Sequence, residues 1–254
     1  MQSSILESIE KNLDDFYITC GKFPNCKLRM SKNLNWVKSK KGEWPDCIFK
    51  ADFENLNVNK KINKIKRLII KKKVPNAWTL GPMTKPTNLG TFLVRNGFNN
   101  VYQQTGMALD LHKMNDIEFK IPKVNTIKIN NFSLLNIWTE IVSNVFQINI
   151  DKDMIRLLYL NPSTTFFLGQ FNQDFVSALI LHISSKVAGL HAVSTLPDYR
   201  GKGIAFFLSH AALKSALNQG IRLAVLQASN VGEKVYNKLG FEKYCEIHSF
   251  ALLL

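Results

Sequence analysis

The hydrophobic and polar positions in the second half of the chain change spacing at intervals, which predicts an alternation of strands and helices. Residues 124–129 have the short apolar run of a strand. Residues 132–148 carry apolar side chains three and four positions apart, which predicts a helix with Ser133 as its cap. Residues 154–160 predict a shorter helix that ends ahead of Pro162, because the residue before a proline disfavours helical geometry.

Three apolar runs follow at short intervals and predict strands of an antiparallel meander. A later run without polar interruption, residues 223–226, is typical of a strand covered on both faces. In chain order, the predicted elements are strands over residues 164–169, 176–183 and 187–195, a loop over 196–202, a helix over 203–218, a strand over 223–226, a helix over 231–239 and a strand over 247–254.

The first half of the chain contains a strongly basic segment, residues 60–73. Ile62, Ile65 and Ile69 recur at steps of three and four, so they occupy one face of a predicted helix that lysines otherwise surround. Such a helix can contact nucleic acid or anionic lipid, but a pattern of this kind more often belongs to a solvated helix packed on its own domain. The pattern leaves both interpretations open.

Composition narrows the class of protein. The chain has 254 residues, of which 46% are hydrophobic and 11% aromatic, so it can bury a large core. No apolar run is long enough to span a bilayer, and the first ten residues show no secretory cleavage site. The four cysteines form no CxxC pair, so we expect free thiols in a reducing cytoplasm and no metal site.

The positive charge is unevenly distributed. The chain has 33 Lys and Arg against 19 Asp and Glu, a formal net charge of +14. Residues 1–120 hold 21 of the basic and 11 of the acidic residues, and residues 121–254 hold 12 and 8. Such an excess favours anionic partners such as nucleic acid or phosphorylated cofactors, although the frequent Lys, Asn and Ile of an AT-rich genome produce the same excess.

One loop, between a predicted strand and a predicted helix, indicates an anion site. Gly201 and Gly203 permit a tight turn and leave N–H groups at the start of the helix unpaired. These donors, the helix dipole and the cations Arg200 and Lys202 suit a pyrophosphate. The loop contains no GxxxxGK[ST] motif, and it is not GxGxxG because Phe206 stands where the third glycine belongs.

Two motifs in this region resemble the GNAT superfamily of acyl-CoA-dependent N-acyltransferases. Its phosphate-loop signature, Gln/Arg-x-x-Gly-x-Gly/Ala, is matched by Arg200, Gly203 and Ala205. Its Tyr-x-x-Leu-Gly-Phe helix ending is matched by residues 236–241, in the order and at the spacing of the family. The resemblance covers residues 122–254. It implies a mixed α/β fold whose central, mostly antiparallel sheet is splayed where acetyl-CoA binds.

The resemblance implies how acetyl-CoA would be held. The main-chain groups of Val193 and Thr195 would bind the pantetheine arm. Ser229 stands where relatives commonly have an Asn that orients this arm, and its hydroxyl can still donate a hydrogen bond. The pyrophosphate would lie on the backbone N–H groups of Arg200, Gly201, Lys202, Gly203, Ile204 and Ala205.

The resemblance also implies direct transfer of the acetyl group from acetyl-CoA to an amine. Tyr236 occupies the position of the general acid, and a phenol stays protonated at neutral pH; the alternative is that it only packs beneath Phe241. Many relatives carry a catalytic Glu on the strand before the loop, and this strand has no carboxylate. His191 is its one titratable side chain and is the candidate general base, the alternative being a structural histidine.

The sequence predicts a degenerate GNAT-like or accessory domain over residues 1–120, followed by a catalytic GNAT domain over residues 121–254. Residues 93–98 echo residues 236–241, with Leu93 in place of the tyrosine, and no Arg-x-x-Gly-x-Ala motif precedes them. The alternative is chance similarity around a Gly-Phe pair that ends a helix. A tandem arrangement would leave the first copy without acid and phosphate loop.

The sequence is compatible with three functions. The leading hypothesis is an acetyl-CoA-dependent N-acetyltransferase that acts on a primary amine. The second is a CoA-binding regulatory protein without turnover, suggested by the missing carboxylate and by Ser229. The third is nucleic-acid binding through residues 60–73. For the amine acceptor, the net positive charge favours a neutral or acidic molecule over a polycation.

Overall fold

The computed structural model describes residues 2–53, 57–115 and 121–254. These residues form seven α-helices and eleven β-strands. The helices are α1 (Gln2–Gly21), α2 (Val58–Ile70), α3 (Leu89–Arg95), α4 (Phe132–Phe146), α5 (Lys152–Tyr159), α6 (Ile204–Asn218) and α7 (Glu233–Leu239). The strands are β1 (Cys26–Arg29), β2 (Asn35–Ser39), β3 (Cys47–Phe49), β4 (Trp78–Leu80), β5 (Asn99–Asp110), β6 (Val124–Lys128), β7 (Thr164–Phe171), β8 (Asp174–Ser184), β9 (Val187–Thr195), β10 (Leu223–Ala228) and β11 (Glu242–Ala251).

All these strands join one sheet, in the order β1-β2-β3-β4-β11-β5-β10-β9-β8-β7-β6. The antiparallel meander predicted for β7, β8 and β9 is confirmed, and β6 extends it. β5 comes from the first half of the chain and lies between β10 and β11 of the second half. β11 in turn lies between β4 and β5. Each half therefore places its last strand inside the part of the sheet formed by the other.

The two halves use the same series of elements. β3-α2-β4-α3-β5 in the first half corresponds to β9-α6-β10-α7-β11 in the second, and in each series the first two strands are parallel neighbours. The last parallel pair involves Ile48 in the first half and Leu190 in the second. Two residues further on, Lys50 and Ala192 have positive φ angles of 52° and 51°. The backbone thus turns at the same step of both series.

The core occupies both faces of the sheet. Phe166 packs in one apolar cluster with Trp138 of α4, and its neighbour Phe167 packs in another with Leu208 of α6. Because successive side chains of a strand point to opposite faces, α4 and α6 cover opposite sides. In β10, residues 224–226 are all buried, which confirms the strand predicted to be covered on both faces.

The basic segment of the first half forms α2 as an amphipathic helix. Ile62, Ile65 and Ile69 are buried and pack in the first-half core with Trp78. The predicted apolar face is therefore confirmed, and it is buried in a cluster that consists mostly of first-half residues and also contains Phe250 and Leu252. The lysines of α2 are exposed, apart from a half-buried Lys66.

Several element boundaries differ from the prediction. α4 is capped by Asn131 rather than Ser133: the backbone of Asn131 is extended, and its side chain accepts a hydrogen bond from the Leu134 N–H at 3.0 Å. Ser133 already lies inside the first turn, so it cannot be the cap. α7 begins at Glu233 rather than at residue 231. The limits of β10 and β11 follow their pairing with β5 rather than their apolar runs.

The structure also bears on the features expected from composition. Among the described residues, no helix has both the length and the apolar character to cross a bilayer. The same residues contain no group of three or more His, Cys, Asp or Glu side chains placed to hold a metal ion. Cys20, Cys26, Cys47 and Cys245 are free thiols, and the first three are buried.

Candidate functional site

The candidate site begins where two parallel strands separate. β9 and β10 pair from Val187 opposite Leu223 to Leu190 opposite Leu226. Beyond that point β9 continues to Thr195, but its other neighbour β8 alone remains paired with it. A register shift between β8 and β9 accompanies the positive φ at Ala192. This bulge turns the end of β9 away from β10 and opens a gap between them.

Main-chain groups of β9 face this gap. The Leu196 N–H donates to Val176 O at 2.9 Å, and Ser177 Oγ donates to Ser194 O at 2.6 Å, so Leu196 and Ser194 are directed toward β8. Because alternate residues of a strand direct their N–H and C=O groups to opposite sides, Val193 and Thr195 face the gap. An extended ligand can therefore pair with β9 as an additional strand does.

The gap leads to the start of α6, which the chain enters through two glycines. Gly201 and Gly203 have φ angles of 76° and 79°, in the left-handed region that favours glycine. A Cβ on Gly203 would also lie 2.9 Å from Ile121 Cδ1. No side chain caps α6, so the N–H groups of its first turn remain directed out of the helix. This is the arrangement that binds phosphate at helix N-termini.

The side chains of the two cations, Arg200 and Lys202, contact groups within and next to the loop. Arg200 Nε donates to Thr195 O at 3.1 Å. Lys202 Nζ donates to Asp198 O at 3.0 Å and lies 4.9 Å from the ring centres of both Phe171 and Tyr199. These contacts stabilise the shape of the loop, and they keep two positive charges beside the N-terminus of α6.

Tyr236 lies on α7 at the other side of the gap. Its side chain is buried, and its ring packs against Phe241 edge to face at 5.8 Å between centres. Burial raises the pKa of Tyr236 above its usual range, which keeps the phenol protonated. Ser229 Oγ accepts the Gly232 N–H at 3.1 Å, and its own hydroxyl proton is left to donate.

His191 is held by two residues of α1 that sequence reasoning did not identify. Its Nε2 lies 3.0 Å from Asn12 Oδ1, and its ring stacks on Phe16 at 4.2 Å with an interplanar angle of 2°. Burial, with a smaller effect from His182, lowers the pKa of His191 well below its usual value. The imidazole is therefore neutral at pH 7.

The hydrogen bonds of Asn12 determine the tautomer of His191. Asn12 Nδ2 donates to Val187 O at 3.2 Å and to Ser184 Oγ at 3.1 Å. Asn12 Oδ1 is consequently the atom that faces His191, and it accepts a proton carried by Nε2. The lone pair of the neutral ring is then on Nδ1.

The gap, the start of α6, Tyr236 and His191 line one cleft of about 1500 Å³. It brings together every site residue predicted from the sequence: His191, Val193, Thr195, Arg200, Gly201, Lys202, Gly203, Ile204, Ala205, Ser229 and Tyr236. The first half of the chain also contributes, through Leu13, Phe16, Tyr17, Trp44, Tyr102 and Gln104. The cleft is thus formed by both halves.

Comparison with known proteins agrees with this arrangement. Residues 133–241 match the acetyltransferase (GNAT) family, so this segment of the chain belongs to the GNAT superfamily. No curated protein matches the chain.

Solved structures share the fold over nearly the whole length. A GCN5-related N-acetyltransferase from Kribbella flavida is 15% identical, with a TM-score of 0.70 over 96% of this chain and 95% of that chain. A GCN5-related N-acetyltransferase from Sphaerobacter thermophilus is 11% identical, with a TM-score of 0.65 over 98% and 92%. A tandem GNAT protein from the clavulanic acid biosynthesis pathway is 12% identical, with a TM-score of 0.58 over 89% and 83%. At these identities the likeness concerns the fold alone.

Proposed function

We propose that the protein transfers an acetyl group from acetyl-CoA directly to a primary amine. The observation that carries this proposal is the gap between β9 and β10, which runs into the uncapped N-terminus of α6 within one cleft. The GNAT family supports an acyl-CoA-dependent acetyltransferase in general. The side chains of the cleft supply the remaining chemistry.

The residues of the cleft suit acetyl-CoA. An extended pantetheine arm can pair with the main chain of Val193 and with the Thr195 N–H as a neighbouring strand does, while the Thr195 carbonyl already accepts Arg200 Nε. The N–H groups of residues 200–205 suit a pyrophosphate, and Ser229 can donate to the arm between the two. When bound, acetyl-CoA supplies a thioester whose acetyl group is activated toward an amine.

His191 is the residue that receives the proton of the attacking amine. Its Nδ1 carries the lone pair because Asn12 holds Nε2–H, and its ring is neutral because its pKa is lowered. The N–C bond forms while the C–S bond breaks, and the proton of the amine nitrogen passes to Nδ1 of His191. A base with so low a pKa holds this proton only briefly, so we expect it to pass the proton on to water.

Tyr236 is the residue that protonates the departing sulfur. Burial keeps its phenol protonated at neutral pH, and the phenol lies in the same cleft as the gap. Its proton is transferred to the sulfur as the C–S bond breaks, which prevents the accumulation of a free thiolate.

The test is the release of CoA thiol from acetyl-CoA in the presence of a panel of primary amines. Tyr236→Phe should lower kcat by about 100-fold, a typical contribution of general acid catalysis, and leave the Kd for acetyl-CoA unchanged. Tyr244→Phe is the matched control, because the Tyr244 hydroxyl donates only to Glu242 on the same strand. An unchanged kcat in Tyr236→Phe removes this residue from the acid role.

The same measurement distinguishes the second function. Acetyl-CoA that raises the Tm without thiol release from any amine supports a CoA-binding regulatory protein. A protein whose Tm does not respond to acetyl-CoA contradicts the proposal as a whole.

We further propose that residues 1–120 are a degenerate GNAT unit without a cofactor site of its own. Lys85 N–H donates to Ala51 O at 2.9 Å, and Phe53 N–H donates to Lys85 O at 2.8 Å. Ala51 and Phe53 stand one and three residues after the positive φ of Lys50, as Val193 and Thr195 stand after Ala192. In the first half, Lys85 therefore pairs with the main-chain positions that correspond to those proposed to bind pantetheine in the second half.

Two more differences support this proposal. The side chain of Asn57 accepts the Lys60 N–H at 3.0 Å and caps α2, whereas the start of α6 has no side-chain cap. Leu93 stands on α3 where α7 has Tyr236, and it is buried in the first-half core. The first half thus has the same order of elements as the second, but it lacks the uncapped helix start and the tyrosine.

A further inference from the structure

The inner end of the cleft, beyond His191, has walls from both halves of the chain. α1 contributes Leu13, Phe16 and Tyr17, and Trp44 lies beside them in the loop between β2 and β3. α4 contributes Val142, Val145 and Phe146 to the same lining. These side chains are apolar or aromatic, and Phe16 is in contact with both Trp44 and His191.

Hydrogen bonds between the halves hold this part of the cleft together. The Glu43 N–H donates to Asn149 O at 2.9 Å, and the Asn149 N–H donates to Glu43 Oε2 at 2.9 Å. Trp44 and Ile150 also form a β-bridge. Trp44 is therefore fixed against the segment that follows α4, so the walls are positioned before any acceptor binds.

The charges of the cleft are of one sign. Among the described residues, no Asp or Glu lines the cleft, whereas five cations do: Lys123, Arg200, Lys202, Lys234 and Lys238. Asp14 is on α1 near this wall but does not line the cleft, and burial raises its pKa to about 8. A polycation bound here would have no carboxylate to pair with its additional ammonium groups.

We propose that the acceptor is an amphipathic monoamine, with one primary amine on an apolar body about as large as an aromatic ring. The amine lies at His191, and the body lies between α1, Trp44 and α4. The inference rests on the proposed function and specifies its substrate class. Polyamines and aminoglycoside-like polycations are excluded as preferred acceptors, because the walls offer apolar surface and no anionic partner.

The test compares 2-phenylethylamine, ethylamine and spermidine as acceptors, with CoA thiol release as the measurement. The first two differ by the phenyl ring alone. We expect kcat/KM for 2-phenylethylamine to exceed that for ethylamine by about tenfold or more, and spermidine to be poorer than 2-phenylethylamine. Equal values for the two simple amines, or a preference for spermidine, overturn the inference while leaving acetyl transfer intact.

Two variants locate the acceptor body. Trp44→Ala should reduce kcat/KM for 2-phenylethylamine by about tenfold more than it reduces kcat/KM for ethylamine, and Trp44→Phe should restore most of this difference. Val145→Asp places a carboxylate in the wall and should shift the preference toward spermidine. Asn144→Asp is its matched control, since this exposed neighbour adds the same charge outside the cleft.

The outcomes separate the two proposals. If acetyl-CoA raises the Tm and thiol is released, but Val145→Asp and Asn144→Asp behave alike, the placement of the acceptor is wrong. If acetyl-CoA raises the Tm and other primary amines of the panel release thiol while 2-phenylethylamine does not, the acceptor class is wrong. If acetyl-CoA raises the Tm and no amine of the panel releases thiol, the protein is the CoA-binding regulatory protein and the proposed transfer is wrong. If the Tm does not respond to acetyl-CoA, the proposed function itself is wrong.

Discussion

The side chain of Asn12 joins the first helix of the chain to the candidate base on β9. It touches no reacting atom, and we regard it as a positioning residue because it fixes the tautomer of His191. Gly189 lies directly beneath it, and a Cβ at Gly189 would come into collision with Asn12 Oδ1. The position of His191 thus depends on Asn12 and Gly189, neither of which takes part in proton transfer.

We expect Asn12→Ala to lower kcat by about 10-fold to 100-fold and to leave the Kd for acetyl-CoA unchanged. The lost acceptor allows the proton to move to Nδ1, the nitrogen that has to receive the amine proton. Gly189→Ala should also lower kcat without changing the Kd, because the added Cβ would displace both the Asn12 side chain and Nε2 of His191, 2.5 Å away. Steady-state kinetics measure kcat, and acetyl-CoA titration measures the Kd. A changed Kd with a normal kcat contradicts the positioning role.

A second residue of α1, Asp14, makes stability depend on pH. Burial, together with the neighbouring Glu10, raises the pKa of Asp14 to about 8, against about 3.9 for an unfolded aspartate. Between these values the folded state binds a proton that the unfolded state has lost. Stability therefore falls as pH rises from about 4 to about 8, and the effect is complete above pH 8.

Asp14→Asn should abolish this part of the pH dependence. Its Tm should exceed that of the wild type by about 10 °C or more at pH 9, with little difference at pH 4. Thermal unfolding across this pH range is the measurement, and Glu140→Gln, which removes an exposed carboxylate of α4, is the control. A Tm difference that is the same at both pH values contradicts the assignment.

At the scale of elements, α6 and its entry loop are the part of the site that tolerates least change. Gly203 is needed for its positive φ and for the space beside Ile121. Gly220 ends the same helix with a φ of 78°, and a Cβ there would meet no atom within 4 Å. The two glycines therefore have the same backbone geometry, and only Gly203 lies in the cleft.

We expect Gly203→Ala and Gly220→Ala to lower the free energy of unfolding by about 1–2 kcal/mol each, because both positions have the left-handed backbone conformation that disfavours a Cβ. Gly203→Ala alone should weaken acetyl-CoA binding, by about tenfold or more, since it moves the N–H groups at the start of α6. Denaturant unfolding and acetyl-CoA titration check the two effects. Equal affinities in the two variants would show that the loop does not hold the pyrophosphate.

The loop and α6 were predictable because their signals are local. Glycines at a helix start and apolar residues at helical spacing require no knowledge of distant contacts. α1 was not predicted, since Glu10, Asn12 and Asp14 interrupt its apolar face with polar residues that face the interior. Asn12 could not be connected with His191 for the same reason: the two are 179 positions apart, and only the packing of α1 brings them together.

β5 shows the same limit for strands. Its first five residues are exposed and mostly polar, so the alternation that predicts a strand is absent there. Its length follows from pairing with β11 on one side and β10 on the other. The partner strands of β5 both lie in the second half, more than 100 residues away, and no local pattern specifies them.

At the scale of the whole molecule, the net charge and the site lie in different places. Most of the positive excess belongs to residues 1–120, yet the proposed cofactor contacts belong to the second half. α2 packs its isoleucines on its own half and exposes most of its lysines. Nucleic-acid binding through residues 60–73 stays a prediction, and steep weakening of binding with salt is its test.

The exchange of β5 and β11 predicts that the two halves cannot be separated. Without β5, β10 and β11 of the second half lose the strand that joins them, and both acquire unpaired edges. A protease recognition sequence placed between residues 115 and 121, then cleaved, should leave a complex that elutes from size exclusion as the intact protein does and unfolds in one transition. Residues 121–254 expressed alone should not unfold cooperatively. Two separate transitions, or a folded 121–254 whose Tm responds to acetyl-CoA, would show that the halves are independent.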